Sequence, residues 1–134
     1  MEPMEEMNAL VAKEAWTVED IRQLWGLFYK VREPAAKFRQ VVGTLAQANP
    51  EPSGMAAVKL GIASFLLGRA QEALDLLVKG TDNKERRFYQ ALAHKQLRQF
   101  DKALENFQYA EDRGWDVTAL PQRFTAVRHR LLAP

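Results

Sequence analysis

Residue types that usually carry out catalysis are sparse in this sequence. The chain has no cysteine and two histidines, His94 and His129. A zinc site needs several cysteine or histidine ligands at short spacings, so the sequence predicts no metal site. A glycine-rich phosphate loop, a nucleophile elbow and a recognisable carboxylate pair are also missing. We therefore expect no enzyme and no cofactor, and we interpret His94 as a packed, hydrogen-bonded core residue.

Length and composition place few other demands on the molecule. The 134 residues carry a net charge of +2, which is typical of a single soluble domain large enough to bury a core. The absence of cysteine fits a reducing compartment. The acidic start has no basic and apolar signal-peptide pattern, and no run of 18 or more residues is apolar enough to predict a transmembrane helix. We expect a cytoplasmic protein that does not associate with membranes.

The charges are unevenly distributed along the chain. Residues 1–20 carry six acidic side chains against Lys13, whereas the last segment carries Arg123, Arg128 and Arg130. A nucleic-acid site would need such arginines clustered with exposed aromatic residues, which the sequence does not establish. A solvated helix face is the simpler interpretation, and opposite charge at the two ends would also favour head-to-tail contact between copies. We interpret Trp16, Trp25 and Trp115 as core and cap anchors rather than as a platform for bases.

The sequence predicts an all-helical chain, because alanine, leucine, glutamine and charged helix formers dominate and no alternating strand pattern occurs. The stretch 55–67 is almost entirely apolar, with Lys59 and Ser64 as its polar side chains. A helix that is apolar on most sides must be covered by neighbours, so we expect this one to be central. At its length it is too short to cross a bilayer.

Capping residues mark the helix ends. Thr17 and Ser53 are candidate N-caps, and Asp82 to Glu85 has the form of a capping box. Gly80 and Gly114 stand where a left-handed glycine would close a helix, with Trp115 expected to fold back over Ala110. These signals predict about seven to eight helices. The N-terminal segment 1–16 could be docked or loosely ordered. The rest consists of a degenerate helix pair 17–48, two helix pairs 54–80 and 84–112, and a capping helix 118–132.

The two central helix pairs repeat each other at an offset of 30 residues. Small residues recur where two helices must approach closely, and large residues recur where they interlock. The matched pairs are Gly61 with Ala91, Ala63 with Ala93, Leu67 with Leu97, Ala73 with Ala103, Leu74 with Leu104, Leu77 with Phe107, and Gly80 with Ala110.

This pattern resembles the tetratricopeptide repeat family. The first unit contains Leu60, Gly61, Ser64, Gly68, Ala70, Ala73, Leu77 and Gly80, and the second contains Gln90, Ala91, His94, Arg98, Phe100, Ala103, Phe107 and Ala110. Gln90, His94 and Arg98 replace the leucine, tyrosine and glycine that the family usually has. The resemblance implies one all-α domain over residues 1–134, a right-handed α-solenoid of antiparallel helix pairs with a C-terminal capping helix.

The resemblance also implies a function and a site. In this family, the first helix of each unit lines a concave groove that holds a partner's peptide or helix. The corresponding residues here, called the inner wall below, are Val58, Ile62, Phe65, Phe88, Leu92 and Lys95. Because they are mostly apolar, the expected ligand is an apolar or amphipathic segment of a protein partner rather than an acidic tail.

The expected function is thus a non-catalytic protein–protein interaction module, either an adaptor or a small chaperone. Two alternatives remain open at this point. The groove could be filled by the chain's own terminal helix or by a second copy, in a structural self-assembly role. The basic C-terminal helix could instead bind nucleic acid.

Overall fold

The computed structural model describes residues 2–115, which form seven α-helices and no strand. The helices are α1 (Pro3–Ala12), α2 (Val18–Phe28), α3 (Pro34–Ala48), α4 (Gly54–Leu66), α5 (Ala70–Leu77), α6 (Lys84–Gln96) and α7 (Phe100–Asp112). The predicted all-α class is confirmed for this part of the chain. The expected capping helix 118–132 lies outside the described residues.

The helices pack mostly against their neighbours in sequence. α1 packs on α2 and α3, α3 contacts α4, α4 lies along α5, and α6 lies along α7. α6 also contacts both α4 and α5, so α4 is enclosed between earlier and later helices. Every residue of α4 from Ala57 to Ser64 is buried, which confirms the expected central helix. One continuous apolar core runs from Met7 to Trp115.

The N-terminal segment is a docked helix, the first of the two possibilities that the sequence left open. Met7, Leu10 and Val11 are buried in the core. The next helix begins with the expected cap: the Thr17 hydroxyl accepts from the Asp20 backbone N–H at 3.1 Å, and the Asp20 carboxylate accepts from the Thr17 N–H at 2.9 Å. This reciprocal pair satisfies two N–H groups that the first helical turn would otherwise leave unpaired.

Other predicted caps differ from the structure. Ser53 occupies the N-cap position of α4 without a capping hydrogen bond from its side chain. α6 is capped by Asn83, whose side-chain oxygen accepts from the Arg86 N–H at 2.8 Å, so the capping box predicted at Asp82 is wrong. The carboxylate of Asp82 is instead engaged by arginines, as described below.

Gly80 does not close a helix in the left-handed conformation, because its φ is not positive. α5 ends earlier, at Leu77, and Gly80 lies against α4. A Cβ at Gly80 would stand 2.5 Å from Val58 Cγ2, 3.0 Å from the Val58 nitrogen and 3.1 Å from the Gly54 oxygen. The position therefore requires glycine for close approach rather than for backbone conformation.

The predicted small residues lie at tight helix contacts. A Cβ at Gly61 would stand 2.6 Å from Leu77 Cγ, and Ala73, Ala91 and Ala103 are fully buried. These four residues are small because α4 and α6 each press against the helix that follows. The predicted close packing at these four residues is observed, and the stacking of the helix pairs into a solenoid stays a prediction.

The turns inside the two helix pairs have the same geometry. Gly68 follows α4 at φ 84°, and 30 residues later Arg98 follows α6 at φ 61°. The N–H after each turn residue donates to the carbonyl five residues back, from Arg69 to Ser64 at 2.9 Å and from Gln99 to His94 at 2.8 Å. This is the Schellman arrangement, which favours glycine at the left-handed position. Arg98 adopts this conformation although it has a Cβ atom.

Replacing Arg98 with glycine is expected to stabilise the fold. The left-handed conformation costs a residue with a Cβ about 1–2 kcal/mol, and the greater freedom of glycine in the unfolded chain offsets part of that gain. We expect Arg98→Gly to raise the free energy of unfolding by about 0.5–1 kcal/mol in urea titrations. Gly68→Ala, the reverse change at the equivalent turn, should lower it. Destabilisation by Arg98→Gly would contradict the strain argument.

None of the helices in residues 2–115 combines the length and apolar character needed to cross a bilayer.

Candidate functional site

The inner wall predicted from the sequence does not form an open surface in the described part of the chain. Val58, Ile62, Phe88 and Leu92 are buried, with Ile62 fully enclosed. Phe65 and Lys95 are half-buried. The expected placement of the six residues around an exposed apolar groove is therefore corrected, and their role in binding a partner stays a prediction.

The chain itself covers these residues. Val58 lies against Gly80 after α5. Trp115 stacks on Phe88 with ring centroids 3.9 Å apart and planes 9° from parallel. Phe65 meets the ring of Tyr89 edge-on at 5.7 Å. Sequence periodicity identifies apolar faces but not which neighbour covers each face, so it could not test the open groove that the family resemblance implies.

A buried lysine fixes the end of α1 over the central helix. The ammonium of Lys59 donates to the carbonyl oxygens of Val11 at 2.8 Å and Lys13 at 2.5 Å, and Lys59 is 4% exposed. Burial lowers the pKa of this ammonium, and the nearby charge of Glu14 partly opposes that effect. A cation at the carboxyl end of a helix satisfies carbonyls that the last turn leaves unpaired. The only charge on the central helix thus holds the N-terminal helix in place.

An apolar groove that sequence reasoning missed lies between α1 and α3. It measures about 500 Å³ and is called the α1–α3 groove below. None of the side chains that line it is charged: they are Met4, Asn8, Val11, Ala12, Gln40, Val41, Thr44, Leu45 and Ala48. Met4 and Leu45 belong to apolar stripes visible in the sequence. The sequence contains no signal that α1 and α3 lie side by side.

A second depression separates α1 from α2. This α1–α2 cleft measures about 800 Å³ and is lined largely by polar and charged side chains, including Glu6, Gln23 and Lys30. Two of its charges are paired with each other, because Lys13 Nζ lies 2.7 Å from Asp20 Oδ1. Burial raises the pKa of Asp20, but hydrogen bonds from Lys13 and Thr17 outweigh it and leave the pKa below its ordinary value. The α1–α2 cleft is therefore larger than the α1–α3 groove but less suited to an apolar ligand.

Two aromatic side chains, one in α2 and one at the residue that follows it, are exposed to solvent. Trp25 is 42% exposed and Tyr29 is 87% exposed, so the expectation that all three tryptophans are core or cap anchors is wrong for Trp25. Trp16 is a core anchor, since its indole N–H donates to the Leu10 carbonyl at 2.6 Å.

His94 is half-buried rather than in the core, with Nδ1 2.7 Å from Gln99 Oε1, so its predicted hydrogen bond is confirmed.

Asp82 joins the start of α6 to the end of α7. Its carboxylate accepts two hydrogen bonds from Arg87, at 2.7 and 3.0 Å, and one from Arg113 at 3.0 Å. Both guanidinium groups also lie over the ring of Tyr109, at 4.7 and 5.5 Å. The hydrogen bonds from Arg87, together with those from Arg113, hold the pKa of Asp82 well below its ordinary value. The cluster fixes the second helix pair and offers no reactive group.

Acid is expected to weaken this link. Because the folded-state pKa of Asp82 is lowered, its stabilisation is present above the unfolded-state pKa and is lost as the pH falls through the folded-state pKa. We expect Asp82→Asn to destabilise the protein at about pH 6, with the deficit relative to the wild type shrinking below about pH 4. Urea titrations at each pH measure this difference. A deficit that stays constant down to about pH 2 would contradict the assignment.

The described residues contain no group of three or more potential metal ligands. The arrangement can bind by shape and apolar contact at the α1–α3 groove, while its ion pairs serve to join helices. Comparison of the chain with protein-family models, with curated proteins and with solved structures gives no match. The family resemblance therefore rests on the residues quoted above and stays a prediction.

Proposed function

We propose that this protein is a non-catalytic protein–protein interaction module that holds an apolar or amphipathic segment of a partner. Its helix pairs form a right-handed solenoid of the tetratricopeptide kind. Support for the repeat comes from the turns at Gly68 and Arg98, which share conformation and hydrogen bonding at an offset of 30 residues. The bounds of α4 and α6 differ by the same offset.

The α1–α3 groove carries the proposal. On a chain in which 27% of residues are charged, all nine residues that line this groove are uncharged. Two of them, Val41 and Leu45, are one turn apart on α3 and half-buried, so each packs partly against the core and leaves the rest of its apolar surface in the groove. A groove between two helices suits an amphipathic helix, which lays its apolar face on the floor and keeps its polar face in water.

In this proposal the inner wall is part of the core and does not contact the partner. Its buried members belong to the core that packs α4, and α3 contacts α4. The ligand chemistry stays the same, because the α1–α3 groove is as poor in charge as the inner wall. The binding surface moves from α4 and α6 to α1 and α3.

Binding is expected to depend on Leu45. We would select binders from a displayed library of amphipathic helices about 15 residues long, which span roughly 22 Å. We expect Leu45→Asp to weaken the selected peptides about tenfold or more, because a carboxylate in the groove loses hydration when the ligand covers it. Fluorescence anisotropy gives the dissociation constants.

Val78→Asp is the matched control, because Val78 is an apolar residue 56% exposed at the end of α5 and does not line the α1–α3 groove. It should leave the affinity unchanged. Peptides that bind Leu45→Asp as tightly as the wild type, with helicity intact by circular dichroism, would refute the groove assignment.

A further inference from the structure

One face of the α2–α3 pair carries exposed aromatic rings and arginines. Trp25 is 42% exposed and Tyr29, four residues later, is 87% exposed, which places their Cα atoms about 6 Å apart along the helix axis. The other large apolar side chains exposed in residues 2–115 are Val78 and Phe100, and both follow α4. In this part of the chain, no large aliphatic side chain is therefore exposed beside the two rings.

Helix geometry places this face on the side opposite α1. Residues two positions apart in an α-helix point in nearly opposite directions, because a turn takes about 3.6 residues. Gln23 lines the α1–α2 cleft, so Trp25 points away from α1. Val41 lines the α1–α3 groove, so Arg39 also points away from α1. This surface is called the α2–α3 platform below and consists of Trp25, Tyr29, Arg39 and Arg32, which is exposed in the connection between the helices.

The ring of Trp25 is held by the core rather than free to move. It meets Phe28 edge-on at 5.5 Å, and Phe28 meets Phe38 edge-on at 5.3 Å. Phe38 is fully buried. A chain of three rings thus anchors the exposed indole, so a ligand can bind it without first having to order it.

The platform is positively charged. Residues 22–39 contain five basic side chains and one acidic side chain, a net charge of +4 in a chain whose total is +2. Arg32 and Arg39 are exposed, and neither forms an ion pair with a residue of the described chain. Arg22 adds a third guanidinium, 3.8 Å from Glu19 in an exposed pair of the weak kind. The complementary ligand is therefore an anion.

The absence of exposed aliphatic side chains selects among anionic ligands. A helix at a membrane surface presents a broad apolar face, but Ile21, Leu24 and Leu27 of α2 are buried. A protein partner would bury an apolar core around the rings. Single-stranded nucleic acid needs neither, because every unpaired base has a face that stacks on an aromatic ring and every nucleotide carries a phosphate for an arginine.

We propose that the α2–α3 platform binds single-stranded nucleic acid. Bases stack on Trp25 and Tyr29, and the guanidinium groups of Arg32 and Arg39 neutralise neighbouring phosphates. The platform is separate from the α1–α3 groove, so this activity is additional to the proposed function and does not depend on it. A duplex binds more weakly, since its paired bases are already stacked on each other.

Substitution of the rings tests the stacking. Fluorescence anisotropy is measured with labelled strands of about 12 nucleotides, uridine or deoxythymidine, and the tighter of the two identifies RNA or DNA as the ligand. Trp25→Leu and Tyr29→Leu should each weaken binding at least about fivefold, the effect of losing one base–aromatic stack. The exposure of Tyr29 makes its variant harmless to the core. Phe100→Leu, at an aromatic residue 49% exposed on α7, is the matched control and should bind like the wild type.

Salt dependence tests the arginines. Each contacted phosphate of a single strand contributes about 0.7 to the slope of log affinity against log salt concentration, so Arg32→Gln combined with Arg39→Gln should make the slope shallower by about 1.4. Arg69→Gln, at an exposed arginine before α5, should leave it unchanged.

Intrinsic fluorescence gives a direct readout of the contact. Trp16 and Trp115 are buried, and Trp25 is the third tryptophan of the chain. A bound strand should quench the emission of the wild type but not that of Trp25→Leu.

Four results would overturn the proposal. They are no binding at low salt, equally tight binding of a duplex, unchanged affinity in both ring variants with helicity intact, and competition by polyglutamate as effective as that by the unlabelled strand. Vesicles of phosphatidylcholine and phosphatidylserine that bind through the same rings, when the strands do not, would assign the platform to membranes and would also overturn it.

Discussion

Replacing Trp115 with alanine is expected to lower the free energy of unfolding by about 3–5 kcal/mol, the range for large aromatic residues removed from a core. The indole is 8% exposed and stacks on Phe88 at 3.9 Å. The backbone places it there: Gly114 adopts φ 97°, and the Trp115 N–H donates to the Ala110 carbonyl at 2.9 Å. Alanine keeps that hydrogen bond but leaves a cavity over Phe88. Chemical denaturation with fluorescence detection measures the loss.

Trp25→Ala is the matched control for this prediction. Trp25 has the same side chain but is 42% exposed, and it meets Phe28 edge-on at 5.5 Å. Its removal should cost about 1 kcal/mol, the contribution of one aromatic pair. Equal losses at the two positions would show that Trp115 is not an anchor of the second helix pair.

Gly80→Ala is expected to destabilise the protein by about 2–3 kcal/mol, the upper range for overpacking a tight contact. The added methyl group would stand 2.5 Å from Val58 Cγ2 and close to two backbone atoms, Val58 N and Gly54 O. Backbone cannot move aside by a rotamer change, so α4 and the end of the first helix pair must separate. The Thr81 N–H donates to the Gly54 carbonyl at 3.2 Å, and this hydrogen bond would be strained as well. Thermal and urea denaturation both report the change.

Gly43→Ala provides the control, because a Cβ at Gly43 meets no atom within 4 Å and the residue lies inside α3. In a helix interior, alanine is favoured over glycine by about 0.5–1 kcal/mol, so this variant should be more stable than the wild type. Tolerance of alanine at both positions would contradict the close approach at Gly80.

Local sequence signals predicted helix ends and helix contacts well where residues close in the chain or in the same helix pair determine them. Thr17 caps α2, Gly114 closes α7 and Gly61 meets Leu77, because each depends on neighbours fixed by the chain or by the close packing of a helix pair. Asp82 shows the limit of such signals. Its spacing to Glu85 resembles a capping box, but Arg113 is 31 residues away, and the sequence could not show that folding brings that charge to the carboxylate.

The candidate site was less predictable for the same reason. The family resemblance implied an apolar binding surface on α4 and α6, whereas the uncharged groove lies between α1 and α3. Its location depends on α1 packing beside α3, which is determined by the whole core rather than by a motif. Ile62 shows the difference between predicting a helix and predicting what covers it. The sequence predicts Ile62 in an apolar helix, but helical periodicity does not show which neighbours enclose it.

The ammonium of Lys59 makes the first helix indispensable to the remainder. A chain that begins after Lys13 would keep this cation in the middle of α4 and lose both carbonyl groups that accept its hydrogen bonds. A cation left among apolar side chains must admit water or give up its proton, and either change loosens α4, which packs against α3, α5 and α6. Trimming the amino terminus should therefore disturb residues far along the chain, including the paired helices that share no contact with α1.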